Sequence, residues 1–174
     1  MNWLWTGRAW CFRDDVPNDE GIMPLRMVRQ QEYEPAVLAK ACFEQVNPRF
    51  ADEVRPYDIV IGGKNFGYGN PHIQGFLGLK GCGAGLVVES MSRGPLRACI
   101  NAGVPIMFCK GAASLAQDGD QLEVDFERGV VRNLRSGQTT RCEPMPAVMR
   151  EIVGAGGGIE HMKLRLAAKG SVFV

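Results

Sequence analysis

The chain has 174 residues, of which 45% are hydrophobic and 22% are charged. These values are typical of one soluble globular domain with a buried core, and they argue against extended disorder. The formal net charge is +1, so composition does not predict a nucleic acid or an anionic membrane as a partner. No basic, apolar leader begins the chain, and no run approaches the roughly 20 apolar residues of a membrane-spanning helix. We therefore expect a cytoplasmic protein.

The cysteines are scattered along the chain, at positions Cys11, Cys42, Cys82, Cys99, Cys109 and Cys142. They form no C-x-x-C pair, and no Cys/His spacing closes a zinc site. A disulfide framework belongs to short secreted chains, and this sequence shows no secretory signal. We therefore predict reduced cysteines, most of them small core residues.

The predicted elements begin with a strand over residues 6–12, followed by a polar turn over 14–21. Residues 22–31 show no clear periodicity and are predicted to form a surface loop. Apolar residues at helical spacing predict a helix over 35–45. Pro35 suits its first turn, where the missing N–H would be unpaired in any case.

The centre of the chain alternates between strands and helices. We predict strands over 57–63, 86–90 and 104–108, and helices over 72–81 and 96–102. This order is typical of a parallel sheet with crossover helices.

The last third changes in character. Residues 121–126 alternate with period two, and glycines separate two further short strands. Two helical segments, 148–153 and 159–168, close the chain. The whole of 1–174 is therefore predicted to be one compact α/β domain.

A glycine-rich loop joins the strand over 57–63 to the next helix. Gly63, Gly67 and Gly69 let the backbone approach a ligand closely. The free N–H groups of a helix start favour an anion such as a carboxylate or phosphate. The spacing fits neither the dinucleotide-binding fingerprint nor a P-loop. On spacing alone, an anion site and a plain tight turn both stay open.

Residues 63–69, Gly-Lys-Asn-Phe-Gly-Tyr-Gly, match the G-x-N-F-G-x-G motif that opens the active-site loop of isopropylmalate dehydratase small subunits. Other segments resemble family motifs and follow in the family's order. Residues 14–19 resemble D-x-x-D-T-D, residues 55–60 resemble K-P-G-D-I-I, and residues 89–93 resemble E-S-F-A-R. Further along, residues 97–105 resemble R-N-A-I-N-N-G-L-P, residues 131–137 resemble V-R-N-L-T-T-G, and residues 143–146 resemble E-P-L-P. The resemblance covers roughly residues 6–168 and places the chain in the aconitase superfamily.

The resemblance implies an aconitase-type swivelling β/β/α domain that pairs with a large subunit. In this family the large subunit holds a 4Fe-4S cluster through three cysteines, so no cluster is expected on this chain. The implied function is that of a heteromeric hydro-lyase subunit acting on a small hydroxylated di- or tricarboxylate, such as 3-isopropylmalate. The family's loop continues S-S-R-E-H-A, in which the first Ser is the base and the Arg binds a carboxylate.

The sequence departs from the family at this continuation. Asn70, Pro71 and His72 stand where Ser, Ser and Arg belong, and Ile-Gln-Gly at 73–75 replaces E-H-A. Asn cannot act as a base, whereas histidine titrates near neutral pH. His72 is therefore the candidate replacement for the lost Ser or Arg chemistry, with Asn70 as the second candidate catalytic residue.

Five residues are the candidates for binding the substrate. Asn65, Gly67 and Gly69 belong to the loop itself. Arg29 aligns with the Arg of the family's Y-L-R-T specificity segment. Arg93 follows the next strand, and ligands of such sheets bind beyond the carboxyl ends of strands.

Three functions remain open from the sequence. The first is a catalytic small subunit, and the second is a non-catalytic subunit that binds and stabilises or regulates a large subunit. The third is a stand-alone domain that binds a small anion.

Overall fold

The computed structural model describes residues 2–70 and 72–168. The strands are β1 (Leu4–Cys11), β2 (Ile59–Gly62), β3 (Gly85–Val88), β4 (Ile106–Phe108), β5 (Gln121–Asp125), β6 (Val130–Asn133) and β7 (Thr139–Arg141). The helices are α1 (Leu25–Arg29), α2 (Pro35–Ala39), α3 (Phe50–Glu53), α4 (Gln74–Cys82), α5 (Arg93–Ala102), α6 (Ala147–Gly154) and α7 (Gly158–Ala168), with a 3-10 turn at Ala112–Ser114. None of these helices has the length and hydropathy needed to cross a membrane.

The strands form one mixed sheet in the order β4-β3-β2-β1-β5-β6-β7. The second half of β1 pairs in parallel with β2, with Ala9 opposite Ile59. Its first half pairs antiparallel with β5, with Trp5 opposite Val124. The crossover helices α4 and α5 keep β2, β3 and β4 parallel, whereas short turns make β5, β6 and β7 antiparallel. The predicted α/β domain with parallel strands and crossover helices is confirmed.

Apolar residues cover both faces of the parallel strands. In β2, Val60 faces a core that includes Leu79 of α4 and Ile100 of α5. Its neighbours Ile59 and Ile61 face a second core that contains residues of the antiparallel strands. A strand buried on both faces has a continuous apolar run rather than an alternating one. Burial on both faces therefore explains the apolar run that made β2 visible in the sequence.

The predicted surface loop over 22–31 is wrong. This segment contains the helix α1, and Ile22 and Met23 before it are 0% and 1% exposed. Met27 of α1 is also buried. A five-residue helix is too short to show a helical period, and it is stable only through the packing of its apolar side chains.

The helix predicted over 35–45 is shorter than expected, because α2 ends at Ala39. The chain continues in turns, and Phe43 adopts a left-handed backbone with φ 55°. Its fully buried ring stacks on Phe12, with 4.1 Å between the ring centroids. Tertiary packing of this ring therefore replaces the last turns of the predicted helix.

The prediction of reduced cysteines is wrong for one pair, since Cys109 and Cys142 form a disulfide. A bridge between Phe108 and Glu143 brings the two chain segments together, and the Cα atoms of the cysteines lie 4.5 Å apart. Their separation of 33 residues conceals this proximity in the sequence. The cysteines at 42, 82 and 99 are free and buried, as predicted.

Asp58 is a buried anchor between β1 and the turn that precedes β2. It is 4% exposed. Its Oδ1 accepts a hydrogen bond from the Arg8 N–H (2.9 Å), and its Oδ2 accepts from Trp10 Nε1 and the Arg55 N–H (both 3.0 Å). Three donors satisfy the buried carboxylate, so it holds the first parallel strand pair in register.

The substitution Asp58→Asn tests this anchor. It replaces one oxygen by an amide group that cannot accept, so at least one buried donor loses its partner. We expect the free energy of unfolding to fall by about 1–3 kcal/mol in urea denaturation. Asp52→Asn, at an exposed position of α3, is the matched control and should change it by less than about 0.5 kcal/mol. Equal losses in the two variants would contradict the anchor role.

A second buried carboxylate, Asp120, joins the turn before β5 to the end of β6. It accepts hydrogen bonds from the Gln117 N–H (2.9 Å) and Asn133 Nδ2 (2.8 Å), and Arg135 Nε lies 2.8 Å away. The Gln117 N–H and the Asn133 amide, together with the Arg135 charge, hold the pKa of Asp120 below its usual value of 3.8.

A lowered pKa in the folded state stabilises the fold above the unfolded pKa, and this contribution disappears as the pH falls through the folded pKa. We therefore expect the stability advantage of the parent chain over Asp120→Asn to be largest at neutral pH. It should shrink as the pH falls towards about pH 3. Urea denaturation at a series of pH values measures this difference, and a constant difference would exclude the linkage.

Candidate functional site

The glycine-rich loop and the start of α5 lie at the same edge of the sheet. The loop follows β2 and α5 follows β3, and these strands are parallel neighbours. The Phe66 N–H donates to the Ser90 carbonyl (2.9 Å), and the Asn65 N–H donates to Ser90 Oγ (2.8 Å). Because the carboxyl ends of parallel strands meet at one edge, these contacts form where ligands of such sheets usually bind.

Residues 14 and 15 brace the first half of the loop. The Lys64 N–H donates to Asp14 Oδ1 (2.8 Å), and the Asp15 N–H donates to the Lys64 carbonyl (2.9 Å). Asn65 Nδ2 donates to Asp15 Oδ1 (2.9 Å). A Cβ atom on Gly63 would lie 1.9 Å from Asp14 Oδ1, so glycine alone fits this close approach.

The second half of the loop faces outward from a buried anchor. The Phe66 ring is 0% exposed, whereas Tyr68, Gly69 and Asn70 are exposed. A Cβ atom on Gly69 would meet nothing within 4 Å, so the surface beside it is open. The Gly67 N–H donates to the Val16 carbonyl (2.7 Å) and is therefore occupied. The loop thus presents its tip, rather than a buried turn, to an incoming molecule.

His72 lies next to a carboxylate that the sequence analysis did not single out. Its Nδ1 is 2.8 Å from Asp19 Oδ1, and its side chain is 37% exposed. The buried amide of Asn18 donates to the carbonyls of Asn70 and His72, both at 2.8 Å. Asn18 therefore holds the backbone on either side of Pro71, which lies outside the described residues.

The resemblance of residues 14–19 to D-x-x-D-T-D was the available signal for Asp19. This resemblance marks the segment, but it does not reveal that Asp19 contacts His72, which is 53 residues away in the chain. Asn18 also depends on a small residue in α4, since a Cβ atom on Gly75 would lie 2.5 Å from Asn18 Oδ1.

The two candidate arginines are placed differently. Arg93 is the exposed first residue of α5, and a Cβ atom on Gly67 would lie 3.5 Å from Pro95 in the same first turn. Arg93 is therefore adjacent to the loop. Arg29 is the exposed last residue of α1, and within the described residues no hydrogen bond joins it to the loop.

A cavity of about 270 Å³ borders the loop, lined by Lys64, Glu89, Ser90, Phe108, Cys109, Lys110 and Glu143. Lys64 Nζ lies 3.8 Å from Glu89 Oε1, so charges of both signs face it. Across residues 2–70 and 72–168, no three His, Cys, Asp or Glu side chains are grouped to hold a metal ion.

No protein-family model matches the sequence. The isopropylmalate/citramalate isomerase small subunit of Methanocaldococcus jannaschii is 38% identical over 162 residues, covering 92% of this chain and 95% of that protein. The 3-isopropylmalate dehydratase small subunit of Methanosarcina mazei is 42% identical over 158 residues, covering 90% and 95%. That of Heliobacterium modesticaldum is 37% identical over 163 residues, covering 93% and 96%.

A crystal structure of 3-isopropylmalate dehydratase from Methanocaldococcus jannaschii superimposes with a TM-score of 0.86 at 29% identity, covering 95% of this chain and 97% of that chain. The relatives are small subunits by name, which implies a larger partner subunit. Identity and fold thus agree over nearly the full length. The chain belongs to the family of the 3-isopropylmalate dehydratase small subunits.

Proposed function

We propose that this chain is the small subunit of an aconitase-type hydro-lyase that acts on a hydroxylated di- or tricarboxylate. The relatives' names specify isopropylmalate and citramalate, and both are hydroxylated dicarboxylates. The observation that carries the proposal is the outward-facing loop tip at the carboxyl edge of the sheet, which holds His72 beside Asp19. The domain, spanning 1–174, closes the active site over a substrate held by another polypeptide.

The partner in this proposal is a large subunit that carries a 4Fe-4S cluster. When bound there, the cluster supplies a Lewis acid for the hydroxyl and carboxylate of the substrate. The residues of this chain contribute the base and the carboxylate contacts. The proposed complex is cytoplasmic and takes neither nucleic acid nor a membrane as a partner.

His72 is the proposed general base. It takes the proton from the carbon next to a substrate carboxylate during dehydration, and it returns a proton during rehydration. Histidine suits this role because its ring changes charge near neutral pH. The neighbouring side chain of Asn70 is exposed and can both donate to and accept from the substrate.

The remaining candidates bind and orient the substrate. Arg93, next to the loop, supplies a guanidinium group that binds a carboxylate with two parallel hydrogen bonds. Gly69 keeps the loop surface low, so that a substrate approaches the backbone, and the buried Gly67 provides the left-handed turn (φ 72°) that leads to it. Asn65 fixes the loop through the hydrogen bond from its side-chain amide to Asp15, and its other polar atoms are proposed to contact the substrate. Arg29 is proposed to contact the variable part of the substrate when the subunits close.

The substitution His72→Ala in the complex with the large subunit tests the base. We expect kcat for dehydration of 3-isopropylmalate or citramalate to fall by about 10²–10⁴-fold, because proton transfer loses its acceptor. His161→Ala on α7 is the matched control and should retain activity. The complexes are assayed without oxygen by following the unsaturated product. Full activity of His72→Ala would remove His72 from the mechanism.

The same purified complexes distinguish catalysis from a purely structural role. A non-catalytic subunit would bind the large subunit in gel filtration but support no turnover of hydroxy-acids. It would also tolerate changes at Asn70 and His72. Turnover that depends on His72 excludes that alternative.

The arginines are tested by the pair Arg93→Gln and Arg29→Gln. Loss of a charge-assisted hydrogen bond costs about 1.5–3 kcal/mol, so we expect Arg93→Gln to raise KM by about 10- to 100-fold. Arg29→Gln, at the end of α1, should change mainly the preference between substrates with different side chains. A rise in KM for Arg29→Gln alone would place the carboxylate contact at α1 instead.

A further inference from the structure

We infer that Asp19 is the positioning residue of His72: it fixes the imidazole with the proton on Nδ1 and leaves Nε2 as the proton acceptor. The inference rests on the proposed role of His72 as a base, and it gives a role to Asp19, whose motif marks the segment but not a function. The protonation of the two ring nitrogens can be measured without any activity.

The contact itself determines the tautomer. An ionised carboxylate has acceptors only, so the ring nitrogen 2.8 Å from Asp19 Oδ1 must carry the hydrogen. A neutral imidazole carries one N–H, and its other nitrogen therefore keeps a free lone pair. Free histidine in water favours the opposite tautomer, with the hydrogen on Nε2. The carboxylate thus holds His72 in the form that exposes Nε2.

Asn18 links the backbone next to Asp19 with the backbone of His72. The Asn18 N–H donates to the Tyr68 carbonyl (2.8 Å), and the Asn18 carbonyl accepts from the Met23 N–H (3.0 Å). These bonds fix the residue just before Asp19 on both sides. The Asn18 amide holds the His72 carbonyl at the same time. The backbones that carry the carboxylate and the ring are therefore held close together by several hydrogen bonds.

A neighbouring carboxylate does not compete for the ring. Glu20 Oε1 accepts from the Leu25 N–H (3.1 Å), and its Oε2 contacts Gln45 Nε2. Glu20 is therefore directed to the helix α1 and away from His72.

Three departures from the family pattern meet at this point. His72 replaces the Arg of S-S-R-E-H-A, Gly75 replaces its Ala, and Asn18 replaces the Thr of D-x-x-D-T-D. The Asn18 amide binds the His72 carbonyl, and only glycine at 75 leaves room for it. Asn18 and Gly75 therefore depend on each other, and Asn18 holds the backbone that carries His72.

The test is long-range ¹H–¹⁵N NMR of the imidazole nitrogens in the full chain at mildly alkaline pH, where histidine rings are neutral. The chain has two histidines, so His161 serves as an internal reference, and its signals are assigned with His161→Gln. We expect His72 to show a protonated Nδ1 and an unprotonated Nε2. In Asp19→Asn the proton should shift towards Nε2, while Asp52→Asn leaves both rings unchanged.

Two results would overturn the inference: a proton on Nε2 in the parent chain, or an unchanged His72 tautomer in folded Asp19→Asn. The parent spectrum alone decides the first, so the test holds even if Asp19→Asn fails to fold.

Activity of the complex then separates this inference from the proposed function. If His72 is the base, Asp19→Asn should lower kcat at least about tenfold with a smaller change in KM, because the ring presents the wrong nitrogen. Asp19→Glu, which keeps the acceptor, should restore the Nδ1 proton and part of kcat. A tautomer shift with full activity in both Asp19→Asn and His72→Ala would support the positioning role and refute the catalytic one.

Discussion

The contact between the segment 14–19 and the loop 63–72 is the constraint on which the site depends. Both segments are irregular, and each satisfies backbone groups of the other, as in the bonds from Gly67 to Val16 and from Asn18 to Tyr68. The parallel pairing of β1 and β2 starts the two segments side by side. The sheet fixes where the two segments begin, and the hydrogen bonds between them fix the course of their backbones. The loop tip is therefore exposed to solvent while its backbone is held in place.

In the function proposed above, this construction lets the small subunit contribute a base to a site that another polypeptide completes. The base must project from the surface, where water competes for every polar contact, and it must still be oriented before the substrate arrives. A serine hydroxyl rotates freely and needs only to be placed. An imidazole ring also requires its tautomer to be set, and the carboxylate beside His72 is that of Asp19, which stands at the last Asp of the family's D-x-x-D-T-D segment.

Part of the fold could be predicted from residues alone. The apolar run of β2, the alternation along 121–126 and the glycines around 63–69 each report a local rule of strand burial or backbone freedom. The order of family motifs predicted the domain and the position of the loop. The predictions failed where distant contacts outweigh local preference, as in the left-handed turn of Phe43 and the pairing of Cys109 with Cys142.

The sequence by itself determined the fold family, the place of the glycine loop and the loss of the family's Ser-Ser-Arg triplet, since these are properties of residues adjacent in the chain. Only the tertiary structure decided that His72 has a carboxylate partner, that Asn18 holds the loop and that Gly75 makes room for it. These contacts join residues more than 50 positions apart. They arise because β1 and β2 are paired in the sheet, and no local pattern encodes which of the side chains beyond those strands will meet.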